Sequence, residues 1–505
     1  MDVLIHLGNG FLQVLQPANL LVLFVGLVLG MLVAVLPGLT LVMGVVLALP
    51  FTYTMELLPA IILLTAMYVS GTYGGAFTAI LFRIPGEPID VPLLWDGYTM
   101  ARKGQPAKAL GWTLFAALGG GLTTVMVMVL LSGPVATFAL KFSAPEYFAI
   151  ILFGLASVVS LGGGSITNAL ISLLLGLLIA TVGVDSIYGA ERFAFGVPFL
   201  QDGIEYLLVM VGAYGLGEVF TRLEKGFAGG GPTADTDRRI RTEFPTLAEM
   251  LRLKMTFLRS SLVGIIVGII PGAGATVASF VAYGAEGQYG KRGKQLGSGI
   301  AEGIVAPQTA ATSSVGGAMI PLLTMGIPGS GATAIILGAF LLHGMQPGPQ
   351  VFVTSGPFVY AVFASMFLGV IGMCILGYFA IKPLVKVLEL PEAVISAFVV
   401  LFCFIGAFAA RNNLSDLYVI TAFGILGYLF EKFKFPIAPM VLGAILGPLA
   451  ESSFMTMMVS HGNDWTVLIG RPISATVMVM TVIAVVYPIQ RQLRERTRRN
   501  GGAQK

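Results

Sequence analysis

The sequence predicts an all-α protein that crosses a lipid bilayer many times, and three observations carry that expectation. Of its 505 residues 56% are hydrophobic and only 11% charged, whereas a soluble protein carries roughly 25% charged residues. The mean hydropathy is +0.89. The charges are also far apart: none falls between Asp2 and Glu56, Lys108 and Lys141, Glu146 and Asp185, or Glu302 and Lys382. A spanning helix needs about 20 mostly apolar residues, so each gap accommodates at least one. Such a chain has too little polar surface for a soluble enzyme or a nucleic-acid-binding protein.

The apolar runs fall near 19–50, 57–81, 109–133, 146–163, 166–184 and 203–221, then near 257–285, 298–342, 357–381, 393–410, 416–430, 436–450 and 472–490. Allowing for broken helices, they amount to about 11 or 12 spans. The chain therefore divides into an interfacial segment 1–18, a first membrane repeat 19–222, a basic linker 223–256, a second membrane repeat 257–450, a loop 451–470, a last helix 471–490 and a basic tail 491–505. Residues 246–254 of the linker are amphipathic and suit a membrane surface.

The net charge of +4 comes mostly from residues 222–259 and from the tail after Arg491. Lys and Arg collect in short cytoplasmic loops, so this excess marks orientation and places both segments in the cytoplasm. Cys374 and Cys403 lie in apolar stretches and read as packing residues rather than a disulfide or a metal site. The start, Met1-Asp2, has neither a basic n-region nor a small-residue cleavage site, so no removable signal peptide is expected.

The two groups of runs match residue by residue. Gly30 and Pro37-Gly38 align with Gly264 and Pro271-Gly272, with the same seven-residue step from Gly to Pro. The stretch from Gly75 to Ile84-Pro85-Gly86 aligns with that from Gly317 to Ile327-Pro328-Gly329, and Pro145-Glu146 aligns with Pro391-Glu392. The chain is read as two copies of one unit of about 200 residues, the repeat construction of many secondary transporters. Equivalent loops carry swapped charge: Lys291, Arg292 and Lys294 follow the first break in copy two only, and Arg102, Lys103 and Lys108 follow the second break in copy one only. That swap predicts inverted repeats with five net crossings each, the loop 451–470 in the periplasm and Lys141 as the exception.

The Pro-Gly elements interrupt helices inside charge-free runs, because Pro lacks an N–H and clashes with the preceding turn. Residues 38–50 would rise only about 20 Å as helix, so 19–50 and its twin 257–285 read as broken helices or re-entrant hairpins. Non-helical backbone at membrane depth is tolerated only in protein or along a cavity, and a half-helix beginning there presents free N–H groups and a positive dipole end. This predicts an anion site at Pro37, Gly38, Thr40, Pro271, Gly272, Gly274 and Thr276, with Gly86, Gly329 and Ser330 at the second pair of breaks. Gly74, Gly75, Thr312 and Ser313 complete the set, although small residues in Tyr73-Gly74-Gly75-Ala76 and in residues 312–317 equally suit close helix packing. A single Pro-Gly is commonly just a kink; two equivalent pairs favour a site.

The same residues resemble a known family. Residues 30–40, Tyr73 to Glu87, Asp96 to Gly111, Pro271 to Thr276 and Gly326 to Pro349 are similar to the large membrane subunit of the bacterial tripartite tricarboxylate transporters, the TctA family. Phe193 to Gly203, Gly215 to Glu218 and Phe435 to Glu451 extend the resemblance over nearly the whole chain. It implies a multi-pass inner-membrane permease, not an enzyme, that takes a di- or tricarboxylate from a periplasmic substrate-binding protein, works with a small four-helix membrane subunit and is driven by a cation gradient. Departures from the family pattern, Gln308, Ala311 and Thr312 in Ala306-Pro307-Gln308-Thr309-Ala310-Ala311-Thr312, Ala76 where Ser is usual and Arg83 where Asn is common, imply a less polar carboxylate than citrate or one with fewer charges.

No organic cofactor is expected. A dicarboxylate brings about two negative charges into low dielectric, and two helix ends supply only about half a charge each, so a co-bound cation is required. The scarcity of carboxylates in the apolar runs favours Na⁺ held by carbonyls and the hydroxyls of Thr40, Thr276, Thr312, Ser313 and Ser330; a proton route would use Glu302 or Glu218 instead. A passive anion channel or another kind of carrier is the alternative, since broken helices line channels too. An intramembrane hydrolase lacks a His-Glu-x-x-His or Gly-x-Ser-Gly motif, and an ATP-driven pump lacks a Walker sequence.

Overall fold

The structure is a computed structural model that describes residues 2–36, 39–161, 165–185, 189–226, 242–272, 274–380, 383–384 and 391–502. The first part of the chain forms α1 (Asp2–Val14), α2 (Pro17–Val35), α3 (Leu41–Thr52), α4 (Leu57–Gly74), α5 (Ala76–Phe82), α6 (Val91–Arg102), α7 (Pro106–Ala139), α8 (Ala144–Leu161) and α9 (Ile166–Ala180). A two-residue antiparallel pair, β1 (Gly183–Val184) with β2 (Glu191–Arg192), leads to α10 (Pro198–Gln201). α11 (Tyr206–Met210) and α12 (Gly217–Lys225) are joined by a π-helical turn, Val211–Leu216, into one span.

The second part forms α13 (Leu247–Arg252), α14 (Lys254–Ile269), α15 (Gly274–Tyr289), α16 (Glu302–Met325), α17 (Gly331–Leu342), α18 (Pro349–Thr354) and α19 (Gly356–Phe379). It closes with α20 (Glu392–Arg411), α21 (Ser415–Lys432), α22 (Ile437–Ser460), α23 (Val467–Gly470) and α24 (Pro472–Gly502). The protein is an all-α polytopic membrane protein. Among the described residues six helices are long and apolar enough to cross a bilayer: Pro17–Val35, Leu57–Phe82, Pro106–Ala139, Tyr206–Lys225, Gly356–Phe379 and Ile437–Ser460. Shorter apolar helices such as Leu41–Thr52 and Gly331–Leu342 accompany them.

Local sequence explains the element ends. Pro17 opens α2, where its fixed φ suits a helix and its missing N–H is not needed. Thr40 caps α3 by accepting the Met43 N–H at 3.2 Å. Thr246 and Glu249 form a reciprocal capping box on α13, the Thr-x-x-Glu pattern doing what such spacing allows. Leu247 and Leu251 on that short helix are 72% and 60% exposed, consistent with an amphipathic segment.

The chain folds into two compact units, each made of two separate stretches: Met1–Ala139 with Lys225–Ala410, and Leu140–Glu224 with Arg411–Lys505. Each unit thus takes part of both sequence copies. Within the first unit α2 packs on α4 as α14 packs on α16, and the close contacts recur at equivalent residues. A Cβ at Gly30 would collide with Met67 O, and one at Gly264 with Ala310 O. At Gly74, which the shared eleven-residue step to Pro85 and Pro328 pairs with Gly317, it would stand 2.7 Å from Met31 O, and at Gly317 2.7 Å from Ile265 O. The backbones touch at these points, so the copies share packing as well as sequence.

In the second unit α9 and α22 approach through Gly176 and Gly443, each against the other helix's backbone, and α21 meets the π-helical turn through Gly427. Glu146, 1% exposed, pairs with Arg471 at 2.7 Å, and Arg192 pairs with Glu451 at 2.6 Å. Two boundaries differ from the sequence reading. α22 continues to Ser460, so much of 451–470 is helix rather than loop. α24 runs on to Gly502, because nothing between 490 and 500 is a helix breaker.

Candidate functional site

The helix interruptions lie where the Pro-Gly motifs put them. Between α2 and α3, residues 36, 39 and 40 are not helical, and the expected Pro37 and Gly38 lie outside the described residues. The twin break runs from Ile270 to α15, with Gly272 at φ 82° and Gly274 at φ 61°, a left-handed backbone that costs any other L residue. The second breaks separate α5 from α6 at residues 83–90 and α16 from α17 at residues 326–330. A further interruption, at Gly75 between α4 and α5, has no Pro and was not expected from the sequence.

All four breaks are tied together in the first unit. Within copy one the Leu41 N–H donates to the Glu87 carboxylate, and within copy two the Gly272 N–H donates to Gly329 O at 3.0 Å. The copies then cross. Ser330, capping α17, bonds the Tyr68 hydroxyl of α4 at 3.0 Å, and Ser279 on α15 donates to Ile89 O at 2.8 Å. The half-helix after the first break of copy two therefore sits beside the second break of copy one, and at the other pair a Cβ at Gly331 would stand 3.2 Å from Val42 on α3.

The expected site residues separate into two groups. Thr40, Thr276 and Ser330 stand at half-helix ends and are not buried, and Pro271, Gly272, Gly274, Gly86 and Gly329 shape the breaks. Thr276 has no side-chain hydrogen bond among the described residues. Gly86 and Gly329 are close-packing glycines: a Cβ at Gly329 would stand 2.5 Å from Gly268 O, and one at Gly86 would collide with Ala34 O. Thr312, Ser313, Gly74 and Gly75 are buried in the helix packing. Thr312 donates to Gln308 O at 3.1 Å and Ser313 to Gly120 O at 3.1 Å, so both hydroxyls serve helix carbonyls. Gln308 spans to α4, donating to Thr72 O at 3.1 Å.

The two expected proton-route carboxylates are both paired. Glu302 takes Arg292 Nε at 2.7 Å at the start of α16. Glu218, in the second unit, takes Arg222 Nε at 3.0 Å one turn along α12.

Sequence reasoning missed three buried carboxylates at and just after the second break of copy one. Glu87 and Asp90 are 8% and 1% exposed and lie one and four residues past Gly86, so carboxylate oxygens stand near the breaks besides the expected hydroxyls. Asp96, fully buried, accepts from Tyr283 OH at 2.9 Å and from the N–H groups of Gly297, Gly299 and Ile300 at 2.8, 2.7 and 2.9 Å. It is the organiser of the turn before α16. The pattern Pro-Gly-Glu-Pro-Ile-Asp, an acidic residue three positions after another at a helix start, is the signal that was available.

Beside the second break of copy one lies a pocket of 580 Å³ lined by Arg83, Trp95, Tyr98, Arg102, Lys103 and Tyr283. Arg83 has a left-handed backbone, φ 58°, and its guanidinium lies over the Tyr98 ring, 5.6 Å from the centroid. Lys103 Nζ donates to Ser298 O at 2.6 Å.

A helical polytopic membrane protein whose interrupted helices converge pairwise from two equivalent stretches belongs among the membrane transport proteins. The family is specific: the model of the tripartite tricarboxylate transporter TctA family matches residues 20–442, and the chain belongs to that family. It is 35% identical over 501 residues, 98% of both chains, to an Agrobacterium vitis protein described as an uncharacterized 52.8 kDa protein in the TAR-I ttuC' 3'region. A second protein of that organism, described as an uncharacterized protein in the TAR-II ttuC' 3'region, is 34% identical over 233 residues, 46% of this chain and 96% of its own. No solved structure matches the chain.

Proposed function

We propose that the chain is the large permease subunit of a binding-protein-dependent secondary transporter that imports di- or tricarboxylates by cation symport. The observation that carries this reading is the meeting of four helix breaks through Glu87, Gly272, Ser330 and Ser279. Half-helix ends gathered at one place offer N–H groups and partial positive charge to a carboxylate, as the broken helices of other secondary transporters do. The partners are a small four-helix membrane subunit and a periplasmic substrate-binding protein, in a bacterial inner membrane. Segments 185–202 and 451–470 are the surfaces offered to them. The swapped loop charges orient the chain with its N-terminus in the periplasm and residues 222–256 and the C-terminus in the cytoplasm, with the two copies inverted. Na⁺ is the expected coupling ion.

The test is uptake of labelled carboxylate into proteoliposomes holding this chain and the small subunit, with the binding protein added outside. Accumulation above equilibrium that requires all three proteins and an imposed Na⁺ or proton gradient is the expected result. Uptake that only equilibrates, without any gradient dependence, would replace symport by a channel.

A further inference from the structure

The two copies build their second break with the same geometry and different chemistry. In copy one the Glu87 N–H donates to Asp90 Oδ2 at 2.9 Å, and in copy two the Ser330 N–H donates to Thr333 Oγ1 at 2.8 Å. Glu87 aligns with Ser330 and Asp90 with Thr333, each pair standing directly after its Ile-Pro-Gly. A hydroxyl pair therefore satisfies this turn, and the fold does not need charge there. Copy one nevertheless buries two carboxylates, at 8% and 1% exposure.

Among the described residues no positive charge neutralises them. Neither has an ion-pair partner among the described residues, since the Lys and Arg side chains that form ion pairs meet Glu249, Asp185, Glu451, Glu218, Glu286, Glu302, Glu224 and Glu146 instead. The Glu87 carboxylate accepts the Leu41 N–H at the start of α3 and the Asp90 N–H of its own turn. Asp90 Oδ1 has no hydrogen-bond partner among the described residues, although a buried polar atom left unmet costs about 1–3 kcal/mol. Burying two like charges side by side is costlier still unless a positive charge joins them.

The surroundings offer no substitute. Of the elements packed against residues 88–90, α15 carries Tyr283, Glu286 and Tyr289, α16 carries Glu302, and α6 carries Asp96, Tyr98 and Arg102. Glu286 is held by Arg259, Glu302 by Arg292, and Asp96 by Tyr283 and three backbone N–H groups. Arg83, just past α5, lies over Tyr98. Tyr68, within electrostatic reach of Glu87, bonds Ser330.

We propose that Glu87 and Asp90 are the seat of the coupling cation, taking up one positive charge as substrate binds and giving it up on the other side. The inference rests on the symport reading above. It makes coupling the work of copy one alone, with Asp90 Oδ1 as the receiving atom and the Glu87 carboxylate beside it. Proton and Na⁺ share the chemistry of a single positive charge on carboxylate oxygens.

The experiment uses the complete three-component system in proteoliposomes, with labelled carboxylate as probe, and measures accumulation and carboxylate exchange at equal concentrations separately. Asp90→Asn removes the charge, and Asp90→Thr installs the residue that copy two already uses, so at least one variant retains the turn. Both are expected to lose accumulation by tenfold or more, the effect of about 1.4 kcal/mol, while exchange stays within about twofold of wild type. Exchange needs no net cation movement, so a structural lesion would lower both. Imposing a pH gradient at fixed Na⁺, and a Na⁺ gradient at fixed pH, tells which ion wild type uses. Accumulation that survives in both variants, or accumulation and exchange lost together in folded protein, would overturn the assignment. Failure of wild type to accumulate under either gradient would remove the symport reading itself, a result distinct from the other two.

Discussion

The carboxylate of Glu87 accepts the backbone N–H of Leu41, so the half-helix end of copy one is already met by an anion of the protein. The equivalent end in copy two begins at Gly274 and has Ser330, not an acid, at the corresponding place. The two half-helix ends are therefore unlike, one met by a carboxylate of the protein and the other lying beside a hydroxyl. This asymmetry orders the predictions.

Gly272→Val forces a β-branched residue onto φ 82° and is expected to cost about 1–3 kcal/mol and to reduce uptake at least tenfold. Gly329→Val, whose Cβ would stand 2.5 Å from Gly268 O, should cost as much through overpacking, about 1–3 kcal/mol. Thermal unfolding in detergent and uptake at matched expression measure the two effects. Full uptake by Gly272→Val would reduce that break to a kink.

Ser330→Ala removes both the cap on α17 and the Tyr68 contact, with an expected loss of about 1 kcal/mol. Tyr68→Phe removes the contact alone. A double-mutant cycle by thermal unfolding should give a coupling of at least about 0.5 kcal/mol between them. Additive losses would mean the two hydroxyls are merely adjacent.

Arg83→Asn keeps a residue that tolerates the left-handed backbone and removes the guanidinium from the pocket. The thermal midpoint should hold or rise. If the pocket lies on the carboxylate route, the apparent KM for uptake should change by about threefold or more while the binding protein's own affinity is unaffected, a shift of about 0.7 kcal/mol. An unchanged KM would take the pocket off the route.

On the linker side Glu249 is pulled from 4.5 to about 2, first by the Lys108 ammonium at 2.6 Å and then by the Thr246 N–H and hydroxyl. A carboxyl with a depressed value adds stability above its ordinary range and loses it as pH falls toward the lowered one. The tether of α13 to α7 should therefore hold at neutral pH and release between about pH 4.5 and 2. Amide exchange across residues 242–252 follows it, and Glu249→Gln should show the released pattern at pH 7. High salt should weaken the pair as well.

Phe193 and Phe195 have left-handed backbones, φ 51° and 50°, and are 50% and 84% exposed, a strained presentation of bulky apolar rings. They follow Arg192, which holds Glu451 at 2.6 Å. If this surface receives a partner subunit, Phe195→Ser should lower uptake by about tenfold with folding intact, the loss of about 1.4 kcal/mol of contact. Pull-down of the small subunit or the binding protein identifies which one is lost.

Sequence periodicity and charge gaps reveal the helices, and the Pro-Gly pairs reveal the breaks after α2, α14 and α16, because few residues other than Pro and Gly end a helix inside an apolar run. The interruption at Gly75 is not legible: Tyr73-Gly74-Gly75-Ala76 reads equally well as helix packing, and the backbone there stays in the helical region, φ −67° and ψ −16°. Thr312 and Ser313 look like site hydroxyls in sequence. On a helix, however, Ser and Thr readily bond a carbonyl one turn back, as Thr312 does. Glu87 and Asp90 escape notice because an acid just after Pro-Gly reads as a solvated loop, and only the fold buries it.

Helix α16 is buried from Glu302 to Thr324 and carries Gln308, Thr309, Thr312, Ser313, Ser314 and Thr324. It is not among the six helices apolar enough to cross a bilayer on their own. Such a segment gains less from partitioning into lipid than a more apolar helix does. Its principal neighbours, α7, α14 and α15, all precede it in the chain. They are made first, so α16 enters a cleft whose backbone carbonyls and glycines already await it. The order in which the ribosome delivers these helices is thus part of how the break cluster gets built, and a chain with α16 moved ahead of α7 would present a polar helix to lipid with no shelter.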